Sequence, residues 1–266
     1  DDYRAIRRDR RVLVVPFLWA TFANMLDVAF VRSPIAHGIL GDIDVPESYR
    51  RSVYCAKDLV DVNPIRAVSG LKGFKTSVQP ILATEKVRHV GEIIAACIGS
   101  SRAHAEDIVD EVHVDIEPIP VVVDMIRART SDAPLVHQGW DNNVFLETNV
   151  AVQSGDTTTS APIKVTRKLR MARQCMAPIE GRGVVALWDH RETQLVVYTS
   201  TQIPHIVRSG LAECLGLRDS SIRIVAPDVG GGFGYKGLLL TEEVVVAWLA
   251  MTLGRPVRWL NASWLA

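Results

Sequence analysis

No apolar run in this sequence of 266 residues reaches the ~18 that a membrane-spanning helix needs. There is no C-x-x-C pair, and the seven histidines include no H-x-x-x-H or H-E-x-x-H spacing. The sequence therefore offers neither a zinc site nor a set of iron–sulfur ligands, and no metal-ligating residue is expected. No sign of charge prevails, with 30 basic residues against 30 acidic ones. Without a basic surplus, nucleic acid and an anionic membrane surface are not expected partners. Cysteine is scarce: Cys55, Cys97, Cys175 and Cys214 lie far apart. They read as reduced, mostly buried thiols of a cytoplasmic protein rather than as two disulfides. Hydrophobic residues, at 48%, are plentiful enough for a sizeable core, in one large domain or two modest ones.

Near the N-terminus, RRDRRVLVVPFLWATFA has the outline of a secretory signal. It follows two aspartates and lacks an A-x-A site, so an ordinary buried strand is expected instead. Residues 27–45 alternate in polarity and break at Ser33–Pro34 and Gly41, predicting two strands. Residues 62–75 read as loop, and 87–101 as strand with a turn at Gly91. Ser100 or Ser101 then caps a short helix. From 112 the chain alternates again, with Val112, Val114 and Ile116 against His113, Asp115 and Glu117. Pro118 and Pro120 place that strand at a sheet edge. The polar, irregular residues 125–150 suggest an interdomain linker.

Beyond the linker, 183–200 has a hairpin pattern. Residues 203–217 read as a helix, with Pro204 in the first turn and Gly216 at its end. A strand over 221–227, an apolar helix over 238–254 and a strand over 255–260 follow. That helix is hydrophobic nearly all round, so in a chain of this length it is expected to leave a wide apolar patch and promote association.

Between strand and helix lies APDVGGGFGYKG. It is not a P-loop: Lys236 follows Tyr235 and precedes Gly237, with no hydroxyl after the lysine. It fits G-x-G-x-x-G, but Pro227 and Asp228 loosen the turn, and RPVRWLNAS lacks the ribose-binding acid expected about 20 residues on. A glycine-rich turn could also be purely structural. What remains is a loop whose exposed N–H groups let a large polar ligand lie against the backbone, with the positive end of the next helix turned toward it.

These residues resemble a known family. DVGGGFGYK followed by LGRPVRW is similar to the molybdenum-cofactor-binding large subunit of the molybdenum hydroxylases, which include xanthine dehydrogenase, aldehyde oxidase and aerobic carbon monoxide dehydrogenase. FVRSPIAHGILGDIDV (30–45) and residues 81–124 resemble the family's hammerhead-like domain. RQCMAPIEGRGVVALWD (173–189) resembles its arginine–glutamate segment, and YTSTQIPHIVRSGLAECLGL (198–217) the stretch that carries a glutamine near the metal.

The resemblance implies an α+β fold: a hammerhead-like α/β domain over 1–125, a linker over 126–150, and the start of a mixed α/β molybdopterin-binding domain over 151–266. It assigns Gln202 to the neighbourhood of the metal, and Gly231, Gly232, Phe233 and Gly234 to the loop that passes the cofactor, Phe233 walling the substrate pocket. Gln202 and Phe233 are thus the candidate catalytic residues. Arg173, Glu180 and Arg182 would form a supporting buried charge network. The implied cofactor is molybdenum–molybdopterin, as such or as the cytosine dinucleotide. Iron–sulfur clusters and FAD would reside on a small 2Fe–2S subunit and a medium FAD subunit, the whole forming a dimer of heterotrimers.

There are departures from the family pattern. Gly237 stands where xanthine-type enzymes carry a purine-binding glutamate, which disfavours purines and leans toward the carbon monoxide dehydrogenase-like branch. Ile179 and Gly181 replace a methionine and a proline, and residues 12–25 diverge. The family's general-base glutamate and most pterin contacts have no counterpart in this stretch. Cys175 and Cys214 do not match the cysteine loop of carbon monoxide dehydrogenases. The expected function is therefore part of a hydroxylase large subunit, inactive alone. A non-catalytic remnant is the alternative, and a nicotinamide-dependent oxidoreductase using the glycine loop a weaker one.

Overall fold

The computed structural model describes residues 22–148, 162–163, 165–172, 174, 176 and 178–261. The strand expected within 7–23 therefore lies almost wholly outside the described residues, as do Arg173 and Cys175. The elements run β1 (Leu26–Arg32), β2 (Gly38–Asp44), β3 (Val53–Cys55), β4 (Ile65–Arg66), β5 (Val78–Gln79), β6 (Lys86–Val87), β7 (Ile93–Gly99), α1 (Arg102–Glu111) and β8 (His113–Pro118). After an irregular stretch come β9 (Gly183–Asp189), β10 (Gln194–Thr199), α2 (Pro204–Leu215), β11 (Ile222–Val225), α3 (Thr241–Leu253) and β12 (Val257–Leu260).

One seven-stranded mixed sheet carries most of the core, in the order β11-β10-β9-β12-β1-β7-β3. It takes strands from both sides of the expected linker. β12 pairs parallel with β1, Leu26 opposite Val257, and antiparallel with β9, Trp259 opposite Val184. Residues 125–148 form no strand, only a short turn of helix at Arg127–Arg129. They lean on the 71–75 loop, where Lys75 N–H donates to the Phe145 carbonyl at 2.7 Å.

Local chemistry explains the elements. Ser101 caps α1 by accepting the His104 N–H. Pro204 opens α2, and Gly216 ends it in the left-handed region at φ 64°. The alternation at 112–118 becomes β8, an edge of the three-stranded sheet β6-β2-β8, with Val114 and Ile116 on a small apolar cluster with Val87 and Ile94. Gly41 does not end a strand. It sits inside β2 at an irregularity between Leu40 and Ile43, against Asp115. The 62–75 loop contains the two residues of β4.

Two expectations for the last helix are corrected. It starts at Thr241, so residues 235–240 separate it from the glycine loop, and its first turn holds Glu242 and Glu243 rather than facing that loop. Nor does it expose a wide apolar patch: Val244, Val245, Val246, Ala247, Leu249 and Ala250 are all fully buried. The sheet beneath it is wide because the N-terminal half contributes strands, and Tyr54 of β3 meets Trp248 edge-on at 5.7 Å. Apolar exposure falls instead on irregular segments. Val123, Leu169, Ile179 and Phe233 are between 72% and 90% exposed.

Candidate functional site

Strand order decides where the polar residues meet. β10 and β11 are parallel neighbours, Tyr198 opposite Val225. The loops leaving their carboxyl ends therefore emerge side by side, the usual place for a ligand site in an open α/β sheet. One carries Gln202, the other residues 230–234. β9 runs antiparallel to β10, Val184 opposite Thr199, which delivers Glu180 and Arg182 to the same end.

Gln202 and the glycine loop are in direct contact. The Gln202 N–H donates to the Lys236 carbonyl at 2.9 Å. Its Oε1 accepts from the Gly234 N–H at 3.2 Å, which leaves the Nε2 group without a partner among the described residues. A Cβ on Gly232 would lie 2.5 Å from Gln202 Cδ, so only glycine admits the amide there. Gly231, Phe233 and Gly234 take φ values of 93°, 50° and 86°. For Phe233 the left-handed region costs about 1 kcal/mol. Gly231 N–H turns back to Val229, and Tyr235 N–H to Gly232. The N–H groups of Gly232 and Phe233 have no hydrogen-bond partner among the described residues. The ring of Phe233 is exposed, and no described residue closes a pocket over it.

Glu180 and Arg182 do not share one network. Glu180 Oε2 accepts from the Lys236 ammonium at 2.6 Å and from the Gly230 N–H at 2.6 Å. Arg182 instead pairs with the first turn of α3, 2.8 Å to Glu243 and 3.3 Å to Glu242. Glu242 also takes Arg32 at 3.0 Å, and Glu243 accepts from the Thr199 hydroxyl at 3.2 Å and the Leu240 N–H at 2.9 Å. Trp259 and Tyr235 lie within 6 Å of the Arg182 guanidinium, at 5.6 and 5.7 Å. The four charged groups balance, which is what lets them be buried.

Burial opposes ionisation of Arg182, Glu242 and Glu243. At Arg182 the pull of Glu243 and Glu242 outweighs it and raises the pKa above the ordinary arginine value. Glu242 is penalised by burial too, yet it faces both Arg182 and Arg32 and ends below the usual carboxylate range. Glu243 is more deeply buried, with Glu242 beside it, and ends above that range.

Reasoning from the sequence missed Glu242, Glu243, Thr199, Arg32 and the role of Lys236. A signal was present for the glutamates: two adjacent acids in an otherwise apolar helix need a buried cation. Arg173 lies outside the described residues.

Two family models cover most of the chain. That of the molybdopterin cofactor-binding domain matches residues 136–263. That of the aldehyde oxidase and xanthine dehydrogenase a/b hammerhead domain matches 20–120. The nicotine 6-hydroxylase large subunit of Paenarthrobacter nicotinovorans is 32% identical over 244 residues, which cover 90% of this chain and 30% of that one. The carbon monoxide dehydrogenase large chain of Hydrogenophaga pseudoflava is 30% identical over 253 residues, 90% of this chain and 31% of that one. The crystal structure of quinoline 2-oxidoreductase from Pseudomonas putida 86 superposes with a TM-score of 0.80 at 35% identity, over 91% of this chain and 32% of that one.

The chain belongs to the molybdenum hydroxylase large-subunit family. Members of this family are molybdenum-containing oxidoreductases. The expected α+β class agrees with the mixed sheet and few helices found, and with the fold of these relatives. The chain spans about 30% of the length of the curated relatives it matches. Among the described residues no helix is long and apolar enough to cross a membrane.

Proposed function

We propose that this chain is part of the large subunit of a molybdenum-dependent hydroxylase. The proposed reaction is hydroxylation of an aldehyde, an N-heterocycle or a carbon monoxide-like substrate with water as the oxygen source. The observation that carries this reading is the meeting of Gln202 with the Gly230–Gly234 loop at the carboxyl ends of β10 and β11. Three donors are left over there: Gln202 Nε2 and the N–H groups of Gly232 and Phe233. A donor-only set suits a group edged with oxygen acceptors, and glycines let such a group approach the backbone. The residues present therefore fit a molybdenum–pterin group.

When bound, that group supplies a Lewis acid and a two-electron acceptor. The chain's own contribution is narrower. Gln202 Nε2 and the two loop amides bind and orient oxygen atoms. Phe233 would wall one side of the substrate space. Gly237 puts no carboxylate at the position after the loop lysine where a purine-binding glutamate would stand. Electrons would pass to a small 2Fe–2S subunit and on to a medium FAD subunit, in a dimer of heterotrimers. The cytosine dinucleotide form of the pterin belongs to the same proposal. So does a cytoplasmic location, which agrees with three free, buried cysteines, Cys55, Cys97 and Cys214.

The nicotinamide reading loses ground on one observation. A dinucleotide fold places its glycines on the N-terminus of the helix, whereas here α3 begins at Thr241. The deciding experiment is metal and pterin analysis of the protein purified from its host. Molybdenum and pterin near one per chain support the reading. Neither present, with micromolar dinucleotide binding instead, overturns it.

A further inference from the structure

We propose that Lys236 is a positioning residue: paired with Glu180, it clasps the two ends of the glycine loop and holds the Gly232 and Phe233 amides in their receptive shape. The purpose of the clasp rests on the cofactor reading above, whereas the clasp itself rests on geometry alone.

The Lys236 side chain is wholly buried, and its one ion-pair partner among the described residues is Glu180. A buried ammonium persists only with such a partner. Glu180 reaches it from the segment before β9, far away in sequence. A single carboxylate oxygen, Oε2, accepts from the start of the loop at Gly230 N–H and from its end at Lys236 Nζ. Gly230 must be glycine for this, because a Cβ there would lie 2.7 Å from Glu180 Cβ. The backbone of Lys236 ties the loop a second way: its carbonyl accepts the Gln202 N–H at 2.9 Å and the Thr201 hydroxyl at 3.3 Å. One residue thus joins the loop to the β9 approach through its side chain and to the β10–α2 connection through its backbone.

The loop needs this. Between Gly230 and Lys236 its own bonds are short-range turns, and Gly231, Phe233 and Gly234 all sit at positive φ. A conformation of that kind persists only where its surroundings over-determine it. The lysine that gives the sequence its passing likeness to a phosphate loop is therefore turned inward onto a carboxylate.

The test is amide hydrogen exchange on the full chain without cofactor, in K236M, E180Q and the double variant. The readouts are the amides of Gln202, Gly234 and Tyr235, which are hydrogen-bonded but do not touch Glu180 Oε2. Exchange there is expected to rise about tenfold or more in each single variant, with α3 and β9 still protected. The double variant is expected to add nothing further, because either single change already opens the clasp. Wild-type exchange in a folded variant overturns the proposal, and so does additivity. Should K236M lose the circular dichroism of the fold, E180Q carries the readout alone, since it keeps the side-chain shape and removes only the charge. Unchanged exchange sinks the clasp without touching the cofactor reading. Absence of molybdenum from the native protein does the reverse.

Discussion

The two polar assemblies at the end of the sheet are built on opposite terms. In the Arg32–Glu242–Arg182–Glu243 group each charged side chain faces one of opposite sign, and Arg182, Glu242 and Glu243 are buried. In the glycine loop, two backbone N–H groups and one side-chain amide group go unanswered among the described residues, and Phe233 stands exposed at positive φ. The first assembly is closed and joins β1, the β9 approach and α3. The second is open. Stability is concentrated in one and unmet bonding capacity in the other, so substitutions in the two should separate loss of fold from loss of binding.

Arg182→Met is expected to have the largest effect, because it leaves the buried Glu243 without its cation and Glu242 with Arg32 alone. The loss should be about 3–5 kcal/mol by urea unfolding. A loss under about 1 kcal/mol would mean that the group is not what joins these elements. Next comes Gly232→Ala, whose Cβ collides with the Gln202 amide. Displacing that exposed, flexible side chain should cost under about 1 kcal/mol and lower molybdenum retention in the isolated protein.

Acid should act on the closed assembly through Glu242. Glu242 has a lowered pKa in the fold, so the stability it contributes is present above its unfolded value of about 4.3 and is lost as pH falls through the lowered folded value. Glu243, with a raised pKa, works with the opposite sign: its contribution is lost as pH rises through the raised value. The share of the unfolding midpoint that Glu242 holds should therefore be lost as pH falls below about 4.3, with Glu243 working against that loss, and Glu242→Gln should flatten the fall. An unchanged slope in the variant would remove Glu242 from the account. Gln202→Ala should have the smallest effect on stability, within about 0.5 kcal/mol, since the side chain is exposed. If the loop is the binding element, the same change still lowers molybdenum content. Equal molybdenum in Gln202→Ala and wild type would separate the glutamine from cofactor binding.

Much of the chain could be read locally. Pro204 and Gly216 bracket α2, and Ser101 caps α1. The alternation after Val112 is β8, and the 183–200 pattern is the β9–β10 hairpin. Each depends on residues within a turn or two of one another. The exposed helix face was misjudged because nothing near 241–253 announces that β1, β3 and β7 widen the sheet beneath α3. Glu180 and Arg182 stand two residues apart, yet they face different partners, Lys236 and the α3 glutamates.

By itself, the sequence determined the caps of α1 and α2, the alternation of β8, which loop is rich in glycine, and a family resemblance that the comparisons bear out. Only the tertiary structure decided that β10 and β11 lie parallel and adjacent, so that Gln202 meets Gly232, and that β12 lies between β1 and β9. The physical reason is range: periodicity and capping act over a few residues, whereas strand order and the pairing of buried charges are settled by contacts between distant segments.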